Sequence, residues 1–203
     1  MASGRAKLVI LSMGDSTTAG TPGFRSPVES PPNGEGDERS QFAYWMMDAH
    51  EEWLVLNRGV NGERSDQVLA RFVRDLPATR PRFVTILAGV NDVYQGYPER
   101  LTKENLAKMY DGILEAKSVP VACTILPYNT ITPEQDKSRK GISLWISEEC
   151  RKRSIPFCDT AGAAADPADP GRLRSSPDGL HPDVEGYRRV GLEIVKVIEG
   201  CLS

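Results

Sequence analysis

A serine near the start of the chain and a histidine near its end have the side chains that nucleophilic catalysis requires. Ser16 closes the segment LVILSMGDS over residues 8–16, where an apolar run passes into a turn marked by glycine. His181, one of only two histidines, follows Asp178 in the segment DGLH. A serine hydroxyl becomes a competent nucleophile when an imidazole accepts its proton and a carboxylate holds the other ring nitrogen. Ser16, His181 and Asp178 could form such a set.

These residues also have ordinary structural explanations. Glycine, aspartate and serine favour tight turns, so Gly14, Asp15 and Ser16 are equally typical of a turn after a strand. A single histidine is more often a surface or core residue than a catalytic base. Asp178 could instead cap the helix predicted to begin near Pro182.

Two internal segments contain groups that could stabilise a negatively charged oxygen. The segment NRGVNGERS over residues 57–65 follows the apolar run 53–56, and the segment GVND over residues 89–92 follows the run 83–88. Acyl transfer needs backbone N–H groups or side-chain amides aimed at the developing oxyanion, and Gly62 and Asn91 suit that task. The alternatives are a turn glycine with positive φ for Gly62, and a helix cap or Asx-turn for Asn91.

Together, these four segments resemble, in sequence and in order, the motifs of the SGNH hydrolases, also called the GDSL esterase/lipase family. The resemblance extends from Leu8 to the last helix. It implies that Ser16 is the nucleophile, His181 the general base and Asp178 the carboxylate that orients it. It also implies an oxyanion hole formed by the Ser16 N–H, the Gly62 N–H and the Asn91 side chain.

One position departs from the motif that gives the family its name. Thr17 follows Ser16, where that name implies leucine. The residue has no chemical role in the implied mechanism, so the departure does not weaken the resemblance.

Short apolar runs alternate with longer helical patterns along the chain. Strands are predicted near residues 7–13, 53–57, 82–88, 119–125 and 155–158, and helices near 40–51, 65–75, 103–117, 138–153 and 183–199. This alternation predicts an α/β fold, a three-layer α/β/α sandwich around a five-stranded parallel sheet. In such sheets the site lies at the carboxyl ends of the strands. The family resemblance implies the flavodoxin-like strand order 2-1-3-4-5.

Composition favours a compact enzyme. The 203 residues, 39% of them hydrophobic, predict a single domain over residues 1–203. A net charge of −3 argues against nucleic acid or an anionic membrane as the main partner. The first apolar run is too short for a membrane span or a signal-peptide core, so we expect no stable membrane insertion and a cytoplasmic location. The composition does not indicate an oligomeric state.

The cysteines and histidines indicate no metal site. Cys123, Cys150, Cys158 and Cys201 lack the spacing of metal ligands, and only two histidines accompany them. Because a chain of this size can build its own core, we expect reduced thiols rather than disulfides. No cofactor is implied either.

The expected activity is that of a serine esterase with an acyl-enzyme on Ser16 and a small-molecule ester as its substrate. Three long loops, at residues 21–39, 126–137 and 159–177, are candidates for the substrate wall, although ordinary surface loops are an alternative. The absence of an apolar lid favours short-chain acyl or acetyl esters. Members of the resembled family also hydrolyse lysophospholipids, thioesters and acetylated sugars, which remain alternatives.

A remote alternative is a flavodoxin-like binding module. The segment STTAGT over residues 16–21 is superficially similar to a loop whose hydroxyls and amides hold a flavin phosphate. That interpretation leaves Asp178, His181 and Asn91 without a role.

Overall fold

A parallel five-stranded sheet forms the centre of the computed structural model, which describes residues 7–203. The strands are β1 (Leu8–Gly14), β2 (Trp53–Gly59), β3 (Phe83–Leu87), β4 (Val119–Cys123) and β5 (Phe157–Cys158). Their order in the sheet is β2-β1-β3-β4-β5, and every neighbouring pair is parallel. The predicted fold class and the strand order 2-1-3-4-5 are therefore confirmed.

Helices cover both faces of this sheet. They are α1 (Ser16–Ala19), α2 (Phe42–Ala49), α3 (Ser65–Thr79), α4 (Val90–Tyr94), α5 (Glu99–Glu115), α6 (Pro133–Arg153), α7 (Thr160–Ala164) and α8 (Val184–Leu202). The five longer helices overlap the five predicted ones. The three short helices were not predicted, because four or five residues are too few to show a helical period.

Two apolar cores lie on opposite faces of the sheet because successive strand residues point in opposite directions. Ile10 packs with α2, α7 and α8 on one face, whereas Leu11 packs with α3, α5 and α6 on the other. Both residues are fully buried. This two-sided burial explains why the first strand is a continuous apolar run instead of an alternating one.

The register of the sheet brings three chain segments together at one edge. Gly14, the last residue of β1, pairs with Gly59 of β2 on one side and with Leu87 of β3 on the other. A Cβ at Gly14 would lie 2.1 Å from the Leu87 carbonyl oxygen, so only glycine fits there. The segments that follow β1, β2 and β3 therefore begin at the same level.

All three long loops contain structure that the sequence did not predict, since residues 133–137 of the loop at 126–137 already belong to α6. Residues 21–39 include a two-stranded ribbon, Phe24–Arg25 with Glu35–Gly36, and a 3₁₀ helix, Glu38–Ser40. Residues 159–177 include α7 and a second ribbon, Ala165–Asp166 with Asp169–Leu173. Three of these four strands have only two residues, too few to show an alternating pattern, and Asp169–Leu173 contains proline and glycine, which are rare in strands.

Over residues 7–203, no helix is both long enough and apolar enough to cross a membrane. The four cysteines carry free thiols, and three of them are buried.

Candidate active site

Ser16, His181 and Asp178 form a continuous chain of hydrogen bonds at the carboxyl edge of the sheet. The Ser16 Oγ lies 2.8 Å from His181 Nε2, and His181 Nδ1 lies 2.7 Å from Asp178 Oδ2. An ionised carboxylate only accepts hydrogen bonds, so Nδ1 carries the ring proton of the neutral imidazole and Nε2 is left as an acceptor. The imidazole is thus oriented to accept the proton of the Ser16 hydroxyl.

Asp178 can contact the His181 ring although only two residues separate them, because one oxygen of its carboxylate closes the turn and the other contacts the ring. Asp178 Oδ1 accepts the backbone N–H groups of Leu180 (2.9 Å) and His181 (2.8 Å), which closes a tight turn. Gly179 occupies that turn with a φ of 78°, a conformation that favours glycine. The second oxygen of Asp178 remains free for the imidazole.

The same contacts keep Asp178 ionised. Burial by itself would raise the pKa of this carboxyl, but the hydrogen bonds from the His181 ring and from the Leu180 and His181 N–H groups outweigh it and lower the pKa. The negative charge that orients the imidazole is therefore present throughout the neutral range. Asp178 does not cap the last helix, since α8 begins at Val184 and Asp183 is its cap.

Ser16 is the first residue of α1, directly after β1. Asp15 caps this helix by accepting the Thr17 N–H at 3.0 Å, and Gly20 ends it with a φ of 108°. The chain bends only at Asp15, between the last residue of β1 and the first residue of α1, so the turn of the structural alternative is a junction of strand and helix that places Ser16 beside His181. The Ser16 N–H, in the first helical turn, has no acceptor within the helix.

The turn after β2 leaves one backbone donor free. The Val60 N–H donates to the Gly14 carbonyl (3.2 Å), the Asn61 N–H to Glu29 Oε1 (3.0 Å) and the Glu63 N–H to the Val60 carbonyl (3.4 Å). The Gly62 N–H has no acceptor among residues 7–203. Gly62 has a φ of 79°, so it is the positive-φ turn glycine of the structural alternative and also an available donor.

Asn91 is the second residue of α4, and its side chain reaches back to the same turn. Its Nδ2 donates to the Glu63 carbonyl at 3.0 Å. A side-chain amide has two N–H donors, so one remains available toward the cavity beside Ser16, which Asn91 lines. The proposed alternative of a helix cap is wrong, because Gly89 is the N-cap of α4.

A buried carboxylate next to Asn91 fixes the start of α3. Asp92 accepts hydrogen bonds from the Ser65 N–H (2.8 Å), the Ser65 Oγ (2.5 Å) and the Thr102 Oγ1 (2.9 Å). Since every partner is itself buried, this network is shielded from water. It joins α3, α4 and α5 directly behind the turn that contains Gly62, and it was not predicted from the sequence.

A cavity of about 140 Å³ lies beside Ser16 and His181. Its other lining residues are Thr17, Asn61, Val90, Asn91, Tyr94, Tyr128 and Leu180. Of these seven, only Asn91 was predicted from the sequence as a site residue. The signal that could have found Tyr128 is its position just after β4, since sites of parallel sheets collect at the carboxyl ends of strands.

The prediction that the three long loops form the substrate wall is only partly correct. Of the three long loops, residues 126–137 contribute Tyr128 to this cavity, whereas residues 21–39 and 159–177 do not line it. The loop at 21–39 affects the site indirectly. Its Glu29 accepts a hydrogen bond from the Asn61 N–H and so holds the turn that contains Gly62.

The flavodoxin-like alternative does not agree with the structure. In the segment 16–21, Ser16 is paired with His181, and the Thr18 hydroxyl faces the Leu87 carbonyl at 3.5 Å. Ser16, Thr17, Thr18 and Ala19 are all buried in α1. The segment is therefore a short buried helix and not an open phosphate-binding loop.

Asp15 is fully buried beside the candidate nucleophile, and its titration leads to a prediction. Burial raises the pKa of this carboxyl to about 7. A raised carboxyl pKa stabilises the fold while the group is protonated, and that stabilisation is lost as the pH rises through about 7. Asp15→Asn keeps the capping acceptor but cannot ionise. In urea titrations, we expect its free energy of unfolding to rise relative to the wild type between about pH 5 and about pH 8.

A second helix cap serves as the control. Asp37 is exposed, and hydrogen bonds from the Arg39 side chain and N–H lower its pKa. Ionised Asp37 therefore stabilises the fold at neutral pH, and because its pKa is lowered it does not titrate between about pH 5 and about pH 8. Asp37→Asn should therefore lower the free energy of unfolding slightly and by the same amount across this range. A pH dependence of Asp15→Asn indistinguishable from that of the wild type would contradict the prediction.

Comparison with known proteins gives one family. The model of the GDSL-like lipase/acylhydrolase family matches residues 12–189, a range that contains all five candidate site residues. The acetylxylan esterase of Geobacillus stearothermophilus is 26% identical over 164 residues, which cover 70% of this chain and 74% of that protein. Thioesterase 1/protease 1/lysophospholipase L1 of Escherichia coli K12 is 29% identical over 99 residues, which cover 46% of this chain and 48% of that protein.

Among solved structures, a protein of the G-D-S-L family from Desulfitobacterium hafniense DCB-2 superimposes with a TM-score of 0.79 at 22% identity. The superposition covers 94% of this chain and 99% of that one. At this level of identity, the superposition shows a similar fold and no more.

Proposed function

Because this chain belongs to the GDSL-like lipase/acylhydrolase family and is a carboxylic ester hydrolase, we propose that it cleaves esters of short acyl groups through an acyl-enzyme on Ser16. The observation that carries the proposal is the pair of hydrogen bonds, 2.8 Å and 2.7 Å, that joins Ser16 to His181 and His181 to Asp178. Such a chain of contacts is how a weakly nucleophilic hydroxyl is activated at neutral pH.

In the acylation half-reaction, the Ser16 Oγ bonds to the ester carbonyl carbon while His181 Nε2 takes the hydroxyl proton. The carbonyl electron pair moves onto the oxygen and gives a tetrahedral oxyanion. When that pair returns, the bond to the alcohol oxygen breaks, and His181 gives its proton to the departing alcohol. Asp178 remains ionised and stabilises the imidazolium that exists between the two transfers.

In the deacylation half-reaction, water replaces the alcohol. His181 removes a proton from the water as its oxygen bonds to the acyl carbon. The second tetrahedral intermediate collapses by breaking the bond to the Ser16 Oγ, which recovers its proton from His181. The products are a carboxylic acid and the free enzyme, and no cofactor enters the proposed cycle.

Three donors at the carboxyl edge of the sheet would stabilise both oxyanions. They are the Ser16 N–H, the Gly62 N–H and one N–H of the Asn91 amide. In the free protein the two backbone groups have no acceptor among residues 7–203, so no bond to the protein must break before they meet the oxyanion. Donors that are already oriented require no reorganisation during the reaction.

The size of the cavity favours a short acyl group. A cavity of about 150 Å³ in another protein holds one benzene molecule, and the cavity beside Ser16 has a similar volume, about 140 Å³. Its walls include Val90, Tyr94, Tyr128 and Leu180, so an alkyl group of a few carbons would meet apolar surface. A long acyl chain would not fit inside this cavity and would extend beyond it.

We therefore expect kcat/KM for p-nitrophenyl esters to be highest for acetyl to butyryl groups and to fall by at least about tenfold for octanoyl and longer chains. One extra methylene in a pocket changes selectivity by up to a few kcal/mol, so a steep dependence on chain length is physically reasonable. Steady-state rates over the series test this, with Ser16→Ala as the blank. A maximum at octanoyl or beyond would contradict it.

Tyr94 offers a sharper version of the same experiment. Its side chain is 56% exposed, and its ring contacts the Tyr128 ring edge-on with centroids 6.1 Å apart at the mouth of the cavity. Tyr94→Ala should open that wall and raise the relative kcat/KM for longer acyl groups. Leu144→Ala is the matched control, because it removes an exposed hydrophobic side chain of α6 that does not line the cavity.

The more specific candidate is an acetyl ester of a carbohydrate. It is favoured by the similarity to the acetylxylan esterase of Geobacillus stearothermophilus, which extends over 70% of this chain. Release of acetate from acetylated xylo-oligosaccharides, compared with release of fatty acid from lysophosphatidylcholine, distinguishes this candidate from a lysophospholipase. Preferential hydrolysis of the phospholipid would exclude both the carbohydrate candidate and the short-acyl proposal.

A further inference from the structure

Arg71, in the second turn of α3, makes polar contacts with two segments of the candidate active site. Its Nη2 donates to the Gly14 carbonyl at 2.7 Å, and its Nε donates to Glu63 Oε2 at 2.6 Å. A third nitrogen, Nη1, lies 3.5 Å from Asp75 Oδ2. Only 9% of the Arg71 side chain is exposed. The catalytic steps proposed above give this buried guanidinium no role.

The two segments that Arg71 joins carry the two candidate backbone donors of the oxyanion hole. Gly14 ends β1 two residues before Ser16, and Glu63 directly follows Gly62. The Gly14 carbonyl also accepts the Val60 N–H at 3.2 Å, so Arg71 reinforces the point where the turn contacts β1.

Glu63 also connects this arrangement to the third candidate donor. Its side chain pairs with Arg71, while its carbonyl accepts the Asn91 Nδ2 at 3.0 Å. The Glu63 side chain is 17% exposed, so its ion pair with Arg71 is largely shielded from water. A shift of Glu63 would therefore displace Gly62 and Asn91 relative to Ser16.

We propose that the Arg71–Glu63 pair is a positioning device for the oxyanion hole, which sets the distances among the Ser16 N–H, the Gly62 N–H and the Asn91 amide. This inference rests on the proposed function of those three donors. Arg71 touches none of the reacting atoms and acts through Gly14 and Glu63.

Arginine is suited to this position because its donors are fixed in one plane. The guanidinium contacts Gly14 and Glu63 at the same time through different nitrogens, and a lysine ammonium is a single point of charge on a flexible stem. Charge-assisted hydrogen bonds such as the one to Glu63 are also short and strong. A displacement of about 1 Å at an active site can lower the rate by about 100-fold.

The test compares Arg71→Met, Arg71→Lys and Glu63→Gln with the wild type in hydrolysis of p-nitrophenyl acetate. We expect Arg71→Met to lower kcat by about 10- to 100-fold with KM changed by less than about threefold, because the donors act on the transition state more than on the ground state. Arg71→Lys should recover only part of the loss. Glu63→Gln keeps the shape of the side chain but removes its charge. Like Arg71→Met, it should lower kcat.

Rates are expressed per competent site, counted by complete labelling of the serine with a fluorophosphonate. This normalisation separates positioning from folding, because a purely structural Arg71 would lower the melting temperature and the number of labelled sites but leave kcat per site unchanged. If Arg71→Met does not fold, the isosteric Glu63→Gln variant decides the question alone. An unchanged kcat per site in the folded variants would overturn the inference.

Arg74 supplies the matched control on the same helix. It is 72% exposed and pairs with Asp75 at 2.9 Å without touching the turn or β1. Arg74→Met should therefore keep the wild-type kcat. Activity that survives in Ser16→Ala would refute the proposed function itself, whereas loss in Ser16→Ala together with full activity in Glu63→Gln and Arg71→Met would refute only the positioning role.

Discussion

Ser16→Ala and His181→Ala are each expected to lower kcat for p-nitrophenyl acetate by about 10³- to 10⁶-fold. The two side chains act as one unit through the 2.8 Å contact between the Ser16 Oγ and His181 Nε2, so removal of either one removes most of the catalysis. Asp178→Ala should cost less, because it removes the group that orients the imidazole and leaves the nucleophile and the base. Initial rates and labelling by a fluorophosphonate measure these effects.

The second histidine provides the control. His50 lies between Glu52 and Glu199, with ring nitrogens 3.1 Å and 2.9 Å from their carboxylates. It stacks on Trp53 and does not line the cavity beside Ser16. His50→Ala should leave kcat near the wild-type value. Hydrolysis by Ser16→Ala at the wild-type rate would exclude Ser16 as the nucleophile.

Asn91→Ala is expected to lower kcat by about 10²- to 10³-fold and to leave KM within a few-fold. The reason is that its amide would donate to a charge that exists only in the transition state. The substitution also removes the 3.0 Å hydrogen bond to the Glu63 carbonyl. Loss of one such bond costs about 1 kcal/mol, so the melting temperature should fall by only about 2–4 °C.

A boronic acid that forms a tetrahedral adduct with Ser16 gives an independent measurement. Its affinity for Asn91→Ala should fall by a factor similar to that in kcat, because the adduct resembles the charged intermediate. If the variant melts several degrees lower and yet turns over normally, Asn91 has a structural role and the oxyanion hole consists of the Ser16 and Gly62 amides alone.

The main elements of the fold could be predicted because their patterns are local. In α5, Leu106, Met109 and Ile113 recur at helical spacing, and all three are buried. The adjacent Leu114 lies outside that face and is 44% exposed. The helix also begins earlier than residue 103, at Glu99, since its first turn is charged and shows no apolar period.

The short elements around the site could not be predicted in this way. Helix α4 has only five residues, and its first residues are fixed by Gly89 and by the buried Asp92, whose partners Ser65 and Thr102 lie on other helices. Nothing in the local sequence shows such a network. The lining of the cavity by Tyr94 and Tyr128 depends on the same long-range packing.

The α/β/α class and the set of five candidate residues follow from the sequence alone, because apolar periodicity and short motifs are properties of neighbouring residues. The folded arrangement alone shows that Ser16 and His181, 165 residues apart, lie within hydrogen-bond distance. It also decided which loop lines the cavity and that Arg71 and Glu63 join the segments of the oxyanion hole. These are contacts between residues distant in the chain, and their geometry depends on how β1, β2 and β3 align in the sheet, which no local pattern specifies.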